Sequence, residues 1–237
     1  MEKGVRELER VLKGIIRKII YDMAVNNNMQ KKYIVDDNSL EKYLKTEKYI
    51  TNNYEYESQV GVCNSLVVTD FGGDIMPVEI SIYKDNSEIR ETGNLSSVFK
   101  ESILTSTGFI KANCNLLNIN IDVFNKRCIH LHMPSIAIKK DGPSGGVAIT
   151  TAIISAIKKY EIPKDIAFTG EMTLKGNILP VGGIKDKIIG ALNRNIKTIY
   201  IPYGNKKEVE ALDKNITQGI NFIYVKCYEE IIKELGL

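Results

Sequence analysis

Residues 139–160 read KKDGPSGGVAITTAIISAIKKY. The Gly142-Pro143 pair shapes a tight turn, and proline suits the first helical position because its missing N–H has no intrahelical partner there anyway. The apolar run that follows reads as a helix ending before Pro163. Ser144 therefore sits where a turn becomes a helix, beside free backbone N–H groups at the positive end of the helix dipole. Two readings are open. Serine is a favoured helix cap, and Ser144 is then only a cap. Alternatively it is a nucleophile: the N–H groups stabilise a developing oxyanion, and Gly145 and Gly146 remove Cβ atoms that would block a substrate backbone.

Working outward, residues 5–24 place apolar side chains at Val5, Leu8, Leu12, Ile15, Ile16, Ile19, Ile20 and Met23, the three-and-four spacing of an amphipathic helix with one buried stripe. A short second helix starts at Asn38 or Ser39, either of which caps it, and uses Leu40, Tyr43 and Leu44. From about residue 51 the pattern turns alternating and β-branched, and VGVCNSLVVT, DIMPVEISIY and CIHLHM read as strands. Residues 96–117 carry helical periodicity between the last two. Beyond Pro163 come a hairpin over 166–181 turning at Lys175-Gly176-Asn177, a helix over 183–195, strand KTIYIP, a helix, strand NFIYV and a last helix. This predicts an α+β fold, mixed sheets with packed helices, over residues 51–237, preceded by a helical segment over 1–50.

The chain has 237 residues, 43% of them apolar, enough for a sizeable core. Its 32 basic and 29 acidic side chains leave a net charge of +3, too small to make nucleic acid the main partner. Cys63, Cys114, Cys128 and Cys227 form no CxxC pair and read as reduced thiols of a cytosolic-type compartment. No apolar run approaches the roughly 18 residues of a membrane span, and the first residues are too charged for a secretory signal. The expectation is a cytoplasmic protein with no membrane partner.

A serine nucleophile needs a base. His130 and His132 are the chain's two histidines; two apart on a strand, they share a face. They read as a pair packed by ordinary hydrogen bonds, since a metal site there lacks a recognisable third ligand. A lysine serves instead if burial lowers its pKa from about 10.4 toward 7 or 8. The helix after Gly182-Gly183 has an apolar stripe of Ile184, Ile188, Ala191 and Leu192, and Lys185 and Lys187 flank it on opposite sides. The helical wheel does not choose between them.

KKDGPSGG, and downstream TGEMTLKGNILPVGGIKDK at 169–187, resemble the two signature segments of the Lon protease proteolytic domain, in order and at the family's own interval. VGVCNSLVVTDFGGDIMPVE, TGNLSSVFKES and IHLHMP resemble further family segments, and GVRELER resembles the sensor-2 helix closing the small subdomain of the Lon ATPase. The resemblance implies a Lon-type proteolytic fold and a Ser-Lys serine endopeptidase acting on unfolded polypeptide. It implies Ser144 as nucleophile, Lys187 as general base, Thr169 as the lysine's hydrogen-bond partner, and Asp141 as an acid able to obstruct the site. Glu79, His130 and His132 match neighbours of the site, the backbone of Ser144 and Gly145 matches the oxyanion donors, and Arg6 stands at the sensor arginine.

The resemblance further implies a homo-oligomeric ring, usually a hexamer, fed by an AAA+ ATPase. Peptide hydrolysis then needs no cofactor. ATP and magnesium enter only through an ATPase module, because the sequence has no G-x-x-x-x-G-K-[ST]. The expectation is a C-terminal piece of a longer ATP-dependent protease, with a shortened homologue lacking its motor as the alternative. Departures from the family pattern are Lys139 for proline, Gly145 for alanine, Val68 for tryptophan, Ser135-Ile136 for Glu-Gly, and Ser96 for glycine. The altered 134–139 loop bears on how the site gates. Two rival functions are a phosphate-binding module built on the glycine-rich turn and a non-catalytic scaffold for ring assembly.

Overall fold

The computed structural model describes residues 5–26, 33–44, 57–69, 72–134 and 140–237. The chain divides into two compact units, Met1–Glu55 and Tyr56–Leu237. In the first, α1 (Arg6–Val25) and α2 (Asp37–Leu44) meet along one edge of α1. Ile15 is buried there, and Tyr43 hydrogen-bonds the Tyr33 hydroxyl at 2.9 Å while Lys42 pairs with Asp22 at 2.6 Å. Two helices have only one seam between them, so the predicted stripe splits. Leu8, Leu12, Ile16 and Ile20 are exposed, and so is Leu44 of α2. The cap of α2 also differs from expectation. Asp36, not Asn38 or Ser39, opens the helix: its carboxylate accepts the Ser39 N–H at 2.9 Å, and the Ser39 hydroxyl accepts the Asp36 N–H at 2.7 Å. This is the reciprocal logic of a capping box, with serine at the third position.

The second unit is a three-layer sandwich. Its elements are β1 (Val62–Thr69), β2 (Gly72–Tyr83), β3 (Ile89–Thr92), α3 (Ser97–Ala112), α4 (Asp122–Lys126), β4 (Cys128–His132), α5 (Gly146–Lys158), β5 (Ile166–Phe168), β6 (Glu171–Met172), β7 (Ile178–Leu179), α6 (Ile184–Asn193), β8 (Thr198–Pro202), α7 (Lys206–Glu210), α8 (Lys214–Thr217), β9 (Asn221–Val225) and α9 (Tyr228–Leu235). A seven-stranded sheet runs β3-β4-β2-β1-β5-β8-β9 among the described residues. β1 pairs antiparallel with β2, and β2 with β4; the other pairings are parallel. Mixed sheets with packed helices are what the sequence predicts. The predicted 166–181 hairpin is smaller, however. Residues 166–168 join the large sheet beside β1, and only β6 and β7 form the antiparallel ladder. Ile166–Phe168 is short and apolar on both faces, the signature of a buried parallel strand rather than a hairpin arm. The polar β3 and the five-residue α4 went unread in the sequence.

Strand alternation assigns the two cores. Cys63, Val78, Ile80, Ile129, Leu131, Phe168 and Tyr200 face α3, α5 and α9. Leu66, Ala167, Ile199 and Ile201 face Ile184, Ile188 and Ala191 of α6. Adjacent residues such as Ala167 and Phe168 thus serve opposite layers. α5 is buried continuously from Gly146 to Ser155. Its threonines are tolerated because their hydroxyls donate to carbonyls one turn back, and Thr151 also accepts from the buried Tyr228 hydroxyl at 2.9 Å.

One buried hydroxyl is not accommodated. Ser65, 1% exposed on the α5 side of β1, has no hydrogen-bond partner among the described residues. A stranded polar group costs about 1–3 kcal/mol relative to an apolar replacement. Ser65→Ala should therefore raise stability by about 1 kcal/mol, read as a higher urea midpoint with an unchanged slope. A fall in the midpoint would show that the hydroxyl has a partner in solution.

Candidate active site

Ser144 lies in a 3-10 turn, Pro143–Gly145, that runs directly into α5. Gly142 enters it at φ +90° and ψ 156°, a region in which an L side chain is strained. The cap positions of the turn and of α5 are Gly142 and Gly145, so the half-buried Ser144 stands at neither. The glycines after it have a different cause from the one expected. A Cβ on Gly145 would come within 3.0 Å of the Phe99 ring, and one on Gly146 within 2.8 Å of the Met172 nitrogen. The close approach there is made by the protein's own α3 and β6.

Lys187 is on the second turn of α6 and only 3% exposed, while Lys185 is exposed. Its Nζ donates to Thr169 Oγ1 at 3.1 Å, and Thr169 is fully buried at the end of β5. Burial pushes the lysine down from 10.5 to about 8, against the opposing pull of the Glu208 carboxylate. The unfolded chain therefore holds this proton between pH about 8 and 10.5 while the folded chain has released it. The lysine's stabilising contribution is complete above 10.5 and is lost as pH falls through about 8.

What turns Lys187 inward is the seat of α6 on β2. A Cβ on Gly73 would lie 1.8 Å from the Asp186 carbonyl oxygen, and one on Gly190 2.4 Å from the Gly73 carbonyl carbon. Helix and strand backbones thus meet with no side chain between them. Arg194, just past α6, closes a two-point pair with Asp74: Nε to Oδ1 at 2.9 Å and Nη2 to Oδ2 at 3.3 Å. The loop entering α6 is clamped by the buried Asn205, which accepts from the Val181 N–H at 3.0 Å and donates to the Val181 carbonyl at 2.9 Å. Asn205 also donates to Glu208 at 3.0 Å. Sequence reading missed Asn205, because an asparagine after Tyr203-Gly204 has the appearance of an ordinary turn residue.

Two consecutive residues join the halves of the site. The Thr169 hydroxyl receives Lys187, and the next residue, Gly170, donates its N–H to the Ser144 carbonyl at 2.9 Å. Gly170's own carbonyl accepts from Val147 N–H at 3.2 Å, so both sides of the Ser144 turn register on the end of β5. The Ser144 backbone and the Lys187 amine are thus tied to adjacent residues, and the lysine's hydrogen bond goes to Thr169 and not to Ser144. Asp141 is exposed, with Oδ1 accepting from the Ser96 hydroxyl at 2.7 Å and the Gly142 N–H at 2.8 Å.

Glu79, His130 and His132 lie on the β2–β4 ladder, where Glu79 pairs with His132 in register. Thr92 Oγ1 sits 2.7 Å from His132 Nδ1 and 3.1 Å from His130 Nε2, and the Tyr83 hydroxyl is 3.5 Å from His130 Nδ1. These bonds stay within the β2–β4–β3 surface and reach none of Ser144, Thr169 and Lys187. Among the described residues no group of three or more His, Cys, Asp or Glu is placed to hold a metal ion. Arg6 begins α1 in the other unit and is exposed. The expectation about the altered 134–139 loop falls, from 135 to 139, outside the described residues.

The family model for the Lon protease (S16) C-terminal proteolytic domain matches residues 34–236. The chain belongs to this family. A Lon protease of Aster yellows witches'-broom phytoplasma is 39% identical over 99% of the chain, and one of Mycoplasma genitalium is 37% identical over 99%. A third, of Dictyoglomus thermophilum, is 38% identical over 98%. The chain spans 29% of the length of each of these relatives. In the Lon-type domain described here the four cysteines are free thiols, three of them buried. No described helix is long and apolar enough to cross a membrane.

Proposed function

We propose that this Lon-type domain is a serine endopeptidase in which Ser144 is the nucleophile and Lys187 the general base. The observation that carries the reading is a buried lysine held near neutrality, hydrogen-bonded to the residue whose chain neighbour holds the Ser144 turn. Neutral Lys187 takes the Ser144 proton as the serine oxygen bonds to the substrate carbonyl carbon. Backbone N–H groups of Ser144 and Gly145 receive the oxyanion. The lysine then passes the proton to the leaving amine as the C–N bond breaks, and water releases the acyl-enzyme by the reverse relay. For the first transfer the serine oxygen closes to within about 3 Å of the amine, a contact commonly long before substrate binds. Thr169 orients the amine. The substrates are unfolded polypeptides, delivered to a cytoplasmic ring of these domains, a hexamer, by an AAA+ ATPase.

The phosphate-cradle reading accounts for the glycine-rich turn alone and gives no role to the buried Lys187–Thr169 hydrogen bond. The test is the pH dependence of cleavage of a fluorogenic peptide and of an unfolded casein-like protein, with and without an ATPase ring. kcat/KM should rise with pH through an apparent pKa of about 8, because only the deprotonated lysine accepts the serine proton. A flat profile between pH 6 and 9, or cleavage that survives in Ser144→Ala, would sink the reading.

A further inference from the structure

The Ser144 turn is anchored on two sides. On the β5 side Gly170 holds it through the Ser144 carbonyl and the Val147 N–H. On the other side the approach to the turn is laid along residues 94–96, just before α3. The Lys140 N–H donates to the Asn94 carbonyl at 3.1 Å, and the Ser96 N–H donates to the Lys140 carbonyl at 2.9 Å. The Ser96 hydroxyl then donates to Asp141 Oδ1 at 2.7 Å, and the same oxygen accepts the Gly142 N–H at 2.8 Å. We propose that Ser96 is a positioning residue for Ser144: through the Asp141 carboxylate it fixes the Gly142 backbone from which the Ser144 turn departs.

The proposal rests on the endopeptidase reading for its consequence in catalysis, but not for the contact itself. Gly142, at φ +90°, has open space at its Cβ position, so no side-chain crowding there accounts for its conformation. A hydrogen bond from a hydroxyl to a carboxylate is among the stronger ones available there. Where the 96 position is glycine, as in the family pattern this chain resembles, no side chain supplies that donor. Here the hydroxyl has a second task, accepting the Phe99 N–H at 3.2 Å as the N-cap of α3. Cap and latch must therefore be separated by substitution.

Ser96→Asp does this, because aspartate caps a helix as well as serine does yet cannot donate to a second carboxylate. Ser96→Thr keeps both functions, and its backbone at φ −69° and ψ 166° suits threonine. Ser96→Ala loses both. Hydrogen–deuterium exchange of residues 140–147 in the full chain should quicken about tenfold in Ser96→Asp and Ser96→Ala, and stay at the wild-type rate in Ser96→Thr. Exchange within α3 should quicken only in Ser96→Ala. In peptide cleavage Ser96→Asp should lower kcat about tenfold with KM little changed, since fewer molecules present the serine correctly. Unaltered exchange over 140–147 in Ser96→Asp overturns the proposal. So does wild-type kcat in that variant alongside an active wild-type chain. A wild-type chain that cleaves nothing defeats the endopeptidase reading instead, and the exchange result still decides the latch.

Discussion

Lys187→Ala should lower peptide cleavage by at least about 10³-fold, the upper range of what a positioned general base supplies. Ser144→Ala should be as inactive, while Lys185→Ala, which alters an exposed side chain on the same helix, should stay within a few-fold of wild type. A sharper variant is Lys187→Met, which keeps the length of the side chain and removes the amine. Because Lys187 is 3% exposed and its charged form is disfavoured by burial, the methionine variant should fold with equal or greater stability below pH 8. A loss of cleavage together with retained stability assigns the effect to proton transfer and not to packing. Cleavage by Lys187→Met within tenfold of wild type would remove the lysine from the mechanism.

The second large effect concerns no reacting atom. Gly73→Ala places a methyl 1.8 Å from the Asp186 carbonyl oxygen and 2.8 Å from the Lys187 nitrogen, both of them backbone atoms that cannot rotate away. Gly190→Ala meets the Gly73 carbonyl carbon at 2.4 Å from the other side of the seam. Either α6 lifts off β2 or the strand buckles, and overpacking of this kind costs about 3 kcal/mol or more. An α6 displaced by about 1 Å carries Lys187 away from Thr169, and misplacement on that scale costs of order 10²-fold in rate. Both variants should therefore lose stability and activity together. Gly182→Ala is the control for stability, having open space where the methyl goes. Wild-type melting in Gly73→Ala would mean that the helix and strand do not meet as described.

The two variant series separate what residue types show from what packing shows. The pairing of KKDGPSGG with TGEMTLKGNILPVGGIKDK was legible only through resemblance to a family, because both are contiguous motifs at the family's own interval. The Gly142-Pro143 turn and the helix after it were read correctly because turn and helix-start chemistry is written in adjacent residues. Where a residue's role depends on what lies across from it in space, the reading failed or stayed open. Gly145 and Gly146 were attributed to a substrate, and their neighbours are Phe99 and Met172. Residues 166–168 were given to a hairpin although the exposed edge of β1 claims them. Asn205 was not singled out at all, and it is the clamp on the loop before Lys187.

From sequence alone the family, the longer helices and strands in their chain order, and the candidacy of Ser144 were legible, because each rests on local periodicity or on contiguous motifs, whereas the short polar β3 and α4 carry neither. The choice between Lys185 and Lys187 was not available at that level, except through resemblance to a family. On a helical wheel the two flank the apolar stripe equally, and burial is not a property of a helix but of what is laid against it. The side-chain-free meeting of Gly73 and Gly190, with Arg194 locked to Asp74, sets how α6 lies on the sheet. That setting turns one amine into the interior beside Thr169, where desolvation lowers its pKa, and leaves the other in water.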